Sequence, residues 1–196
     1  MWLKERLYDL RVFAGSSVVA DTVIRRGRPQ RLVEYFNSVR TRFSDYEELQ
    51  LVDAKSGLVA SSARSPSAIK LPDGWQKPLD TSRGLIGEPY WDEKAKKVVV
   101  ALGVHVQRGD GKILGALVAR VNFTGLTKEL RTFGTGHVLL ATENGVLIAD
   151  SSTVTAGEGM LSLAPGVADR LLGAEGQLAL VREPPDSFKC FAAILS

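Results

Sequence analysis

The segment KKVVVALGVHVQRGDGKILGALVARVNF, residues 96–123, does most to limit what this chain can fold into. From Val98 to Val104 it is apolar almost without a break. A strand with one face in water alternates apolar and polar residues, so this run needs cover on both faces. The four residues Arg108 to Gly111 separate it from a second apolar run, and Asp110 and Gly111 supply hairpin-turn chemistry. Two long antiparallel strands at the centre of a covered sheet follow.

The same period occurs upstream. ELQLVDAKSGLVASS, residues 48–62, reads as strand, polar turn ending at Gly57, and strand. With a short strand around GEPYW, residues 87–91, it gives a sheet of about five strands. LVDAKSGLVA at 51–60 returns as LLATENGVLI at 139–148, which matches Gly57 with Gly145. That is the signature of a supersecondary unit repeated once, and the chain therefore holds two related α+β modules. The second continues through a helix near Val167 to Leu172 and the strands GQLALVRE and FKCFAAILS. It reads as truncated by a last strand, with the chain stopping early or continuing toward a membrane segment.

Ahead of both modules, Leu3, Leu7, Leu10, Phe13 and Ala14 recur at helical spacing, which predicts one long amphipathic helix from Trp2 to about Ile24. Gly27 and Pro29 end it, and a second helix runs through Leu32, Val33, Phe36, Val39 and Phe43.

The 196 residues, 44% hydrophobic and 24% charged, are enough for a substantial core, and no run nears the roughly 18 apolar residues of a membrane span. Net charge is +3 with basic and acidic residues interleaved, which argues against nucleic-acid binding. The cluster Arg25, Arg26, Arg28 and Arg31 reads as a solvated break between helices, with a phosphate or lipid-headgroup patch as the alternative. A lone cysteine, Cys190, excludes an intrachain disulfide and a multi-cysteine zinc site, and reads as a buried small hydrophobe.

No catalytic constellation emerges. The glycines of GDGKILG lead into a strand, where a phosphate loop needs a helix. His105 and His137 have no carboxylate or cysteine at metal-ligand spacing. ASSARSPSA, residues 60–68, contains no nucleophile elbow and reads as a polar crossover loop. The carboxylate pairs Glu47 with Glu48 and Asp92 with Glu93 read as charged helix or turn positions, and NFT at Asn122 only formally fits a glycosylation acceptor.

In order and spacing, the N-terminal helix, FSDYEELQLVDAKSGLVASS, GEPYWDEKAKKVVVALGVHVQRGDGKILGALVARVNFTGL and GHVLLATENGVLIADSS resemble the double Cache sensor domains over nearly the whole chain. These are extracytoplasmic, PAS-like ligand-binding parts of transmembrane receptors. The resemblance implies an α+β fold with a helical stalk over 1–43, a membrane-distal PAS-like module over 44–130 and a membrane-proximal one over 131–196. It further implies a homodimer through the N-terminal helix and transmembrane and cytoplasmic output domains elsewhere in the parent chain. A small molecule, such as a carboxylate or an amino acid, is the implied ligand, bound in the distal module with no cofactor and no catalysis.

In amino-acid-sensing members an Arg two residues before a Trp grips the ligand carboxylate, a Tyr about fifteen residues later encloses it and an Asp about thirty further on receives the ammonium. Trp75 and Tyr90 match the aromatics, but Asp73 stands where the Arg should be and Arg120 where the Asp should be. A buried Arg120 needs a partner. Three arrangements stay open: Arg120 binds an anionic ligand, pairs with Asp73 or another acid, or faces solvent. Trp75, Tyr90 and Trp91 are candidate aromatic walls or core aromatics, with His105 and Asn122 on neighbouring strands as further candidates.

Overall fold

A computed structural model describes residues 2–25, 29–77, 84–132, 137–142, 144–150, 159–163, 178–182 and 189–195. The expected helix at 167–172, Gly27 and the arginines at 26 and 28 lie outside the described residues, as do the side chains of His137 and Cys190. The chain divides into two compact units, 1–88 with 100–121, and 89–99 with 122–196.

The N-terminal helix is two helices, α1 (Trp2–Ala14) and α2 (Ser17–Arg25), in place of the single one that apolar spacing predicts. Gly15 costs a helix interior about 1 kcal/mol relative to alanine. Here the Gly15 N–H closes α1 on the Arg11 carbonyl, and the Ser16 carbonyl opens α2 by accepting from Val19 and Ala20. α3 (Gln30–Arg42) starts after Pro29, whose φ of −67° suits a helix entry and whose carbonyl accepts from Val33.

The first sheet contains β1 (Tyr46–Asp53), β2 (Leu58–Ser61), β3 (Leu85–Ile86), β4 (Tyr90–Asp92), β5 (Lys97–Gln107) and β6 (Ile113–Asn122). Its order is β2-β1-β6-β5-β3, with β4 also on β5. The expected single strand around GEPYW is two short ones, because Gly87 and Pro89 interrupt it and Pro89 has no N–H to give a ladder. Between β5 and β6, Gly111 takes φ +81°, its N–H bonds the Arg108 carbonyl, and the Asp110 carboxylate accepts from the Lys112 N–H. The hairpin turn expected there is present.

Both faces of this sheet are covered, as the unbroken apolar run requires. Leu49, Leu51, Leu102 and Leu117 are fully buried, as are Leu10, Leu32 and Phe36 of the helices, and α3 packs on β1 and β2. On the other face Val52, Ala116 and Val118 pack with Leu85 and Trp75, with Ile69 and Leu71 against them. That cover is a loop rather than a helix.

A register shift between Tyr46 and Glu48 sets what each face carries. Two residues apart in an unbroken strand, they would share a face; the bulge separates them. Tyr46 instead stands among Phe13 and Phe43, with ring centroids 6.4 and 6.0 Å away. Its hydroxyl donates to the Asp9 carboxylate and the Arg6 carbonyl, and burial holds it well above the ordinary phenol range. The Arg6 guanidinium lies 6.0 Å from the Trp2 ring, 5.9 Å from Phe43, and 3.4 Å from Asp9.

The second unit repeats this plan. α4 (Thr124–Leu130) precedes β7 (His137–Thr142), β8 (Leu147–Asp150), β9 (Leu178–Arg182) and β10 (Lys189–Leu195), in sheet order β8-β7-β10-β9. That reproduces β2-β1-β6-β5. β10 takes the place of β6, so the last strand expected to be missing from the second module is present; the second sheet is the smaller one because β3 and β4 have no counterpart among its described strands.

The internal match is out by one residue from the sequence alignment. Gln50↔Ser61, Leu51↔Ala60 and Val52↔Leu58 become Leu139↔Asp150, Leu140↔Ala149 and Ala141↔Leu147, an offset of 89 at every position, with a bulge in the same place. The turns agree: Asp53 N–H to the Gly57 carbonyl corresponds to Thr142 N–H to the Val146 carbonyl. The left-handed position is Ser56 at φ +65° in one and Gly145 at φ +77° in the other. Gly145 therefore corresponds to Ser56, not to Gly57.

Candidate functional site

The loop-covered face of the first sheet brings together polar side chains that the strands alone would leave unpartnered. Glu48 and Gln50 point to this face from β1, Arg120 opposes Glu48 on β6, and Ser61 opposes Gln50 on β2. The Glu48 side chain is wholly buried, and Arg120 is 4% exposed.

Glu48 is the hub. Its Oε2 lies 3.0 Å from the Arg120 guanidinium. Its Oε1 accepts from Gln50 Nε2 and Ser61 Oγ, both at 2.7 Å. The Ser67 N–H reaches both oxygens, at 3.4 and 3.3 Å. Gln50 also donates to the Ser67 carbonyl at 2.7 Å, and Ser61 Oγ accepts from the Ala63 N–H at 2.9 Å. The polar stretch after β2 is thereby tied to the sheet. Burying a carboxylate is tolerable only with such a partner set.

At the apolar end of the same face, Trp75 is buried and its ring stacks on His105, centroids 6.4 Å apart. The Trp75 carbonyl can only accept, so His105 Nε2 carries the proton and donates across 2.6 Å. A turn puts Trp75 there: Gly74 takes φ +70° and the Trp75 N–H bonds the Pro72 carbonyl. The same turn leaves Asp73 exposed.

Of the seven residues singled out in the sequence, Trp75 and His105 meet each other. Arg120 is buried and pairs with an acid, and that acid is Glu48 rather than Asp73. Tyr90 and Trp91, both half-buried, lie on β4 opposite Val99 and Val98 and belong to the second unit. Asn122 is buried and its Oδ1 accepts from the Thr124 N–H at the entrance to α4. Asp92, read as a turn position, accepts from the Lys94 and Ala95 N–H groups.

Glu48 was read as a charged helix or turn position, and the structure corrects this to the centre of a buried network. The available signal was period two: in YEELQLVD, Glu48 and Gln50 share a face while Leu49 and Leu51 fill the other. Among the described residues no three His, Cys, Asp or Glu side chains converge to hold a metal ion, and no helix is long and apolar enough to cross a membrane.

No family model matches this sequence, and no curated protein does. Solved structures do. The ligand-binding domain of the Pseudomonas fluorescens chemoreceptor CtaA in complex with L-serine is 16% identical, covering 98% of this chain and 88% of that one, with a TM-score of 0.61. The ligand-binding domain of the Pseudomonas aeruginosa amino acid chemoreceptor PctC in complex with GABA is 17% identical, covering 98% and 91%, at 0.62. The sensor domain of the Vibrio cholerae histidine kinase DctB is 11% identical, covering 95% and 87%, at 0.59.

Proposed function

We propose that this chain, which has the double Cache fold of extracytoplasmic sensor domains, is the ligand-binding sensor part of a transmembrane signal-transduction receptor. The observation that carries the reading is the asymmetric cover of the first sheet. Helices close one face, whereas a loop bearing Trp75 closes the other, over His105 and the Glu48–Arg120 pair. Aromatic walls with a few placed polar groups are what a small-molecule site requires, and a loop opens at less cost than a packed helix. The neighbours named above as complexes hold L-serine or GABA, and a small molecule is the ligand class proposed here.

In this reading 1–43 is a helical stalk that pairs with a second copy, 44–130 is the membrane-distal sensing module and 131–196 the membrane-proximal one. The domain catalyses nothing. Ligand occupancy biases the paired helices, by no more than the ligand's differential affinity for the two states. The output partner is a histidine kinase, chemoreceptor or cyclic-dinucleotide enzyme on the cytoplasmic side.

A second reading, a sensor module that takes no ligand and works through protein contacts, is favoured by one feature. Both Glu48 oxygens are satisfied from within. A thermal-shift screen of the chain against amino acids, organic acids, amines and purines separates the two. A ligand at about 100 times its Kd adds about 2.7 kcal/mol to the native state, which is several degrees for a chain of this size. The ligand reading requires a saturable shift that Trp75→Ala abolishes; a flat panel overturns it in favour of the second.

A further inference from the structure

The groups around Glu48 have the chemistry of a receptor for a carboxylate. Four donors converge on its two oxygens from four places in the chain: Gln50 on β1, Ser61 on β2, the Ser67 backbone in the loop and Arg120 on β6. Two of them are held by bonds that do not involve Glu48. Gln50 is fixed by the Ser67 carbonyl, and Ser61 by the Ala63 N–H. A cation, an amide, a hydroxyl and a backbone N–H, pre-oriented and buried, are what a carboxylate's lone pairs ask for.

We propose that these donors form a carboxylate-binding cradle whose occupant is the chain's own Glu48. The site is self-occupied, and Glu48 latches the 62–67 loop to the sheet as a bound carboxylate would. A ligand reaching this face of the native protein therefore meets Arg120 already neutralised. Its recognition falls to the Trp75 and His105 end, which selects a molecule without a carboxylate at the Arg120 position. This goes beyond the sensor assignment and stands whether or not a ligand binds at Trp75.

Truncation of Glu48 to alanine deletes a CH2–COO⁻ group, which acetate replaces atom for atom. The expected result is that Glu48→Ala lowers the melting temperature by about 10 °C. Sodium acetate then restores at least half of the loss saturably, while acetamide and sodium chloride at matched concentration do not. Glu48→Ala combined with Arg120→Ala loses the acetate response, and acetate leaves the wild type unmoved. If Glu48→Ala does not fold alone, recovery of the circular-dichroism spectrum on refolding into acetate, but not chloride, reads the same property.

Glu48→Gln provides the independent arm. It keeps the shape but turns an NH2 toward the donors, so it melts well below the wild type. Three outcomes overturn the proposal: acetate acts no better than acetamide on Glu48→Ala, Glu48→Gln melts with the wild type, or acetate shifts the wild type through Arg120. The first two are read on variants and leave the ligand screen of the wild type untouched; the third is a hit in that screen and overturns only the self-occupied cradle, while a flat screen overturns only the ligand reading.

Discussion

Replacing Arg120 by methionine keeps most of the side-chain volume and removes the charge. Glu48, wholly buried, then keeps its neutral donors but loses its cation. Leaving one partner of a buried pair uncompensated costs about 3–5 kcal/mol. Glu48→Leu strands the opposite charge and also leaves Ser61 Oγ and the Ser67 N–H without their acceptor, at about 1–3 kcal/mol each. The double variant removes both charges and retains only the second penalty, so it is expected to be more stable than Glu48→Leu alone. The interaction energy of the cycle should exceed about 2 kcal/mol. Calorimetric melting of the four proteins measures it. If each single variant costs less than about 1 kcal/mol and the two add, the pair behaves like a solvent-screened surface bridge, and the argument built on its burial is wrong.

Other expectations follow from local features. Ser56 pays left-handed strain that glycine does not, so Ser56→Gly should stabilise the first hairpin by up to about 1 kcal/mol while Gly145→Ala destabilises the second by about 1 kcal/mol or more, read by chemical denaturation. Burial holds the Asp9 carboxyl above its ordinary 3.8, against the pull of Arg6, so the folded chain binds more protons than the unfolded one just above that value. Stability due to Asp9 therefore falls as pH rises from about 3.8 through the raised value, and the melting temperature of the wild type should fall relative to that of Asp9→Asn over the same range. Trp75→Ala removes a buried aromatic and should cost about 3–5 kcal/mol, with faster amide exchange over 62–77 and not in the helices.

Much of the architecture was legible because it rests on periodicity. The runs at 98–104 and 113–121 can only be strands with cover on both sides, and β5 and β6 are the central pair. Resemblance in the order of segments pointed to the same fold as the structural neighbours. Continuity was harder to read. Leu10, Phe13 and Ala14 keep the helical phase up to Gly15, and only the local cost of that glycine followed by Ser16 divides α1 from α2.

The polar network escaped for a different reason. Arg120 announced itself as a charge in an apolar strand that needs a partner, but the choice of partner depends on strand register, which a single bulge sets. With Tyr46 and Glu48 in phase, Glu48 would fall among the aromatics facing the helices. The bulge sends it to Arg120 instead. Asp73 was close by the logic of substitution, yet a turn with Gly74 at positive φ turns it outward.

The one-residue slip between the two repeats also bears on how the second module should be compared with the first. Strand side chains change face at every position, so matching Gly57 with Gly145 assigns each residue of β7 and β8 to the wrong side of its sheet. At the offset the backbone obeys, the counterpart of Glu48 is His137 and that of Arg120, through the paired strand, is Leu195. The two copies thus share a ladder and a bulge, while the register position of the ion pair in one is held by a histidine and a leucine in the other. What the two halves share, among the described residues, is a scaffold, and the Glu48–Arg120 pair stands at positions that carry His137 and Leu195 in the second half.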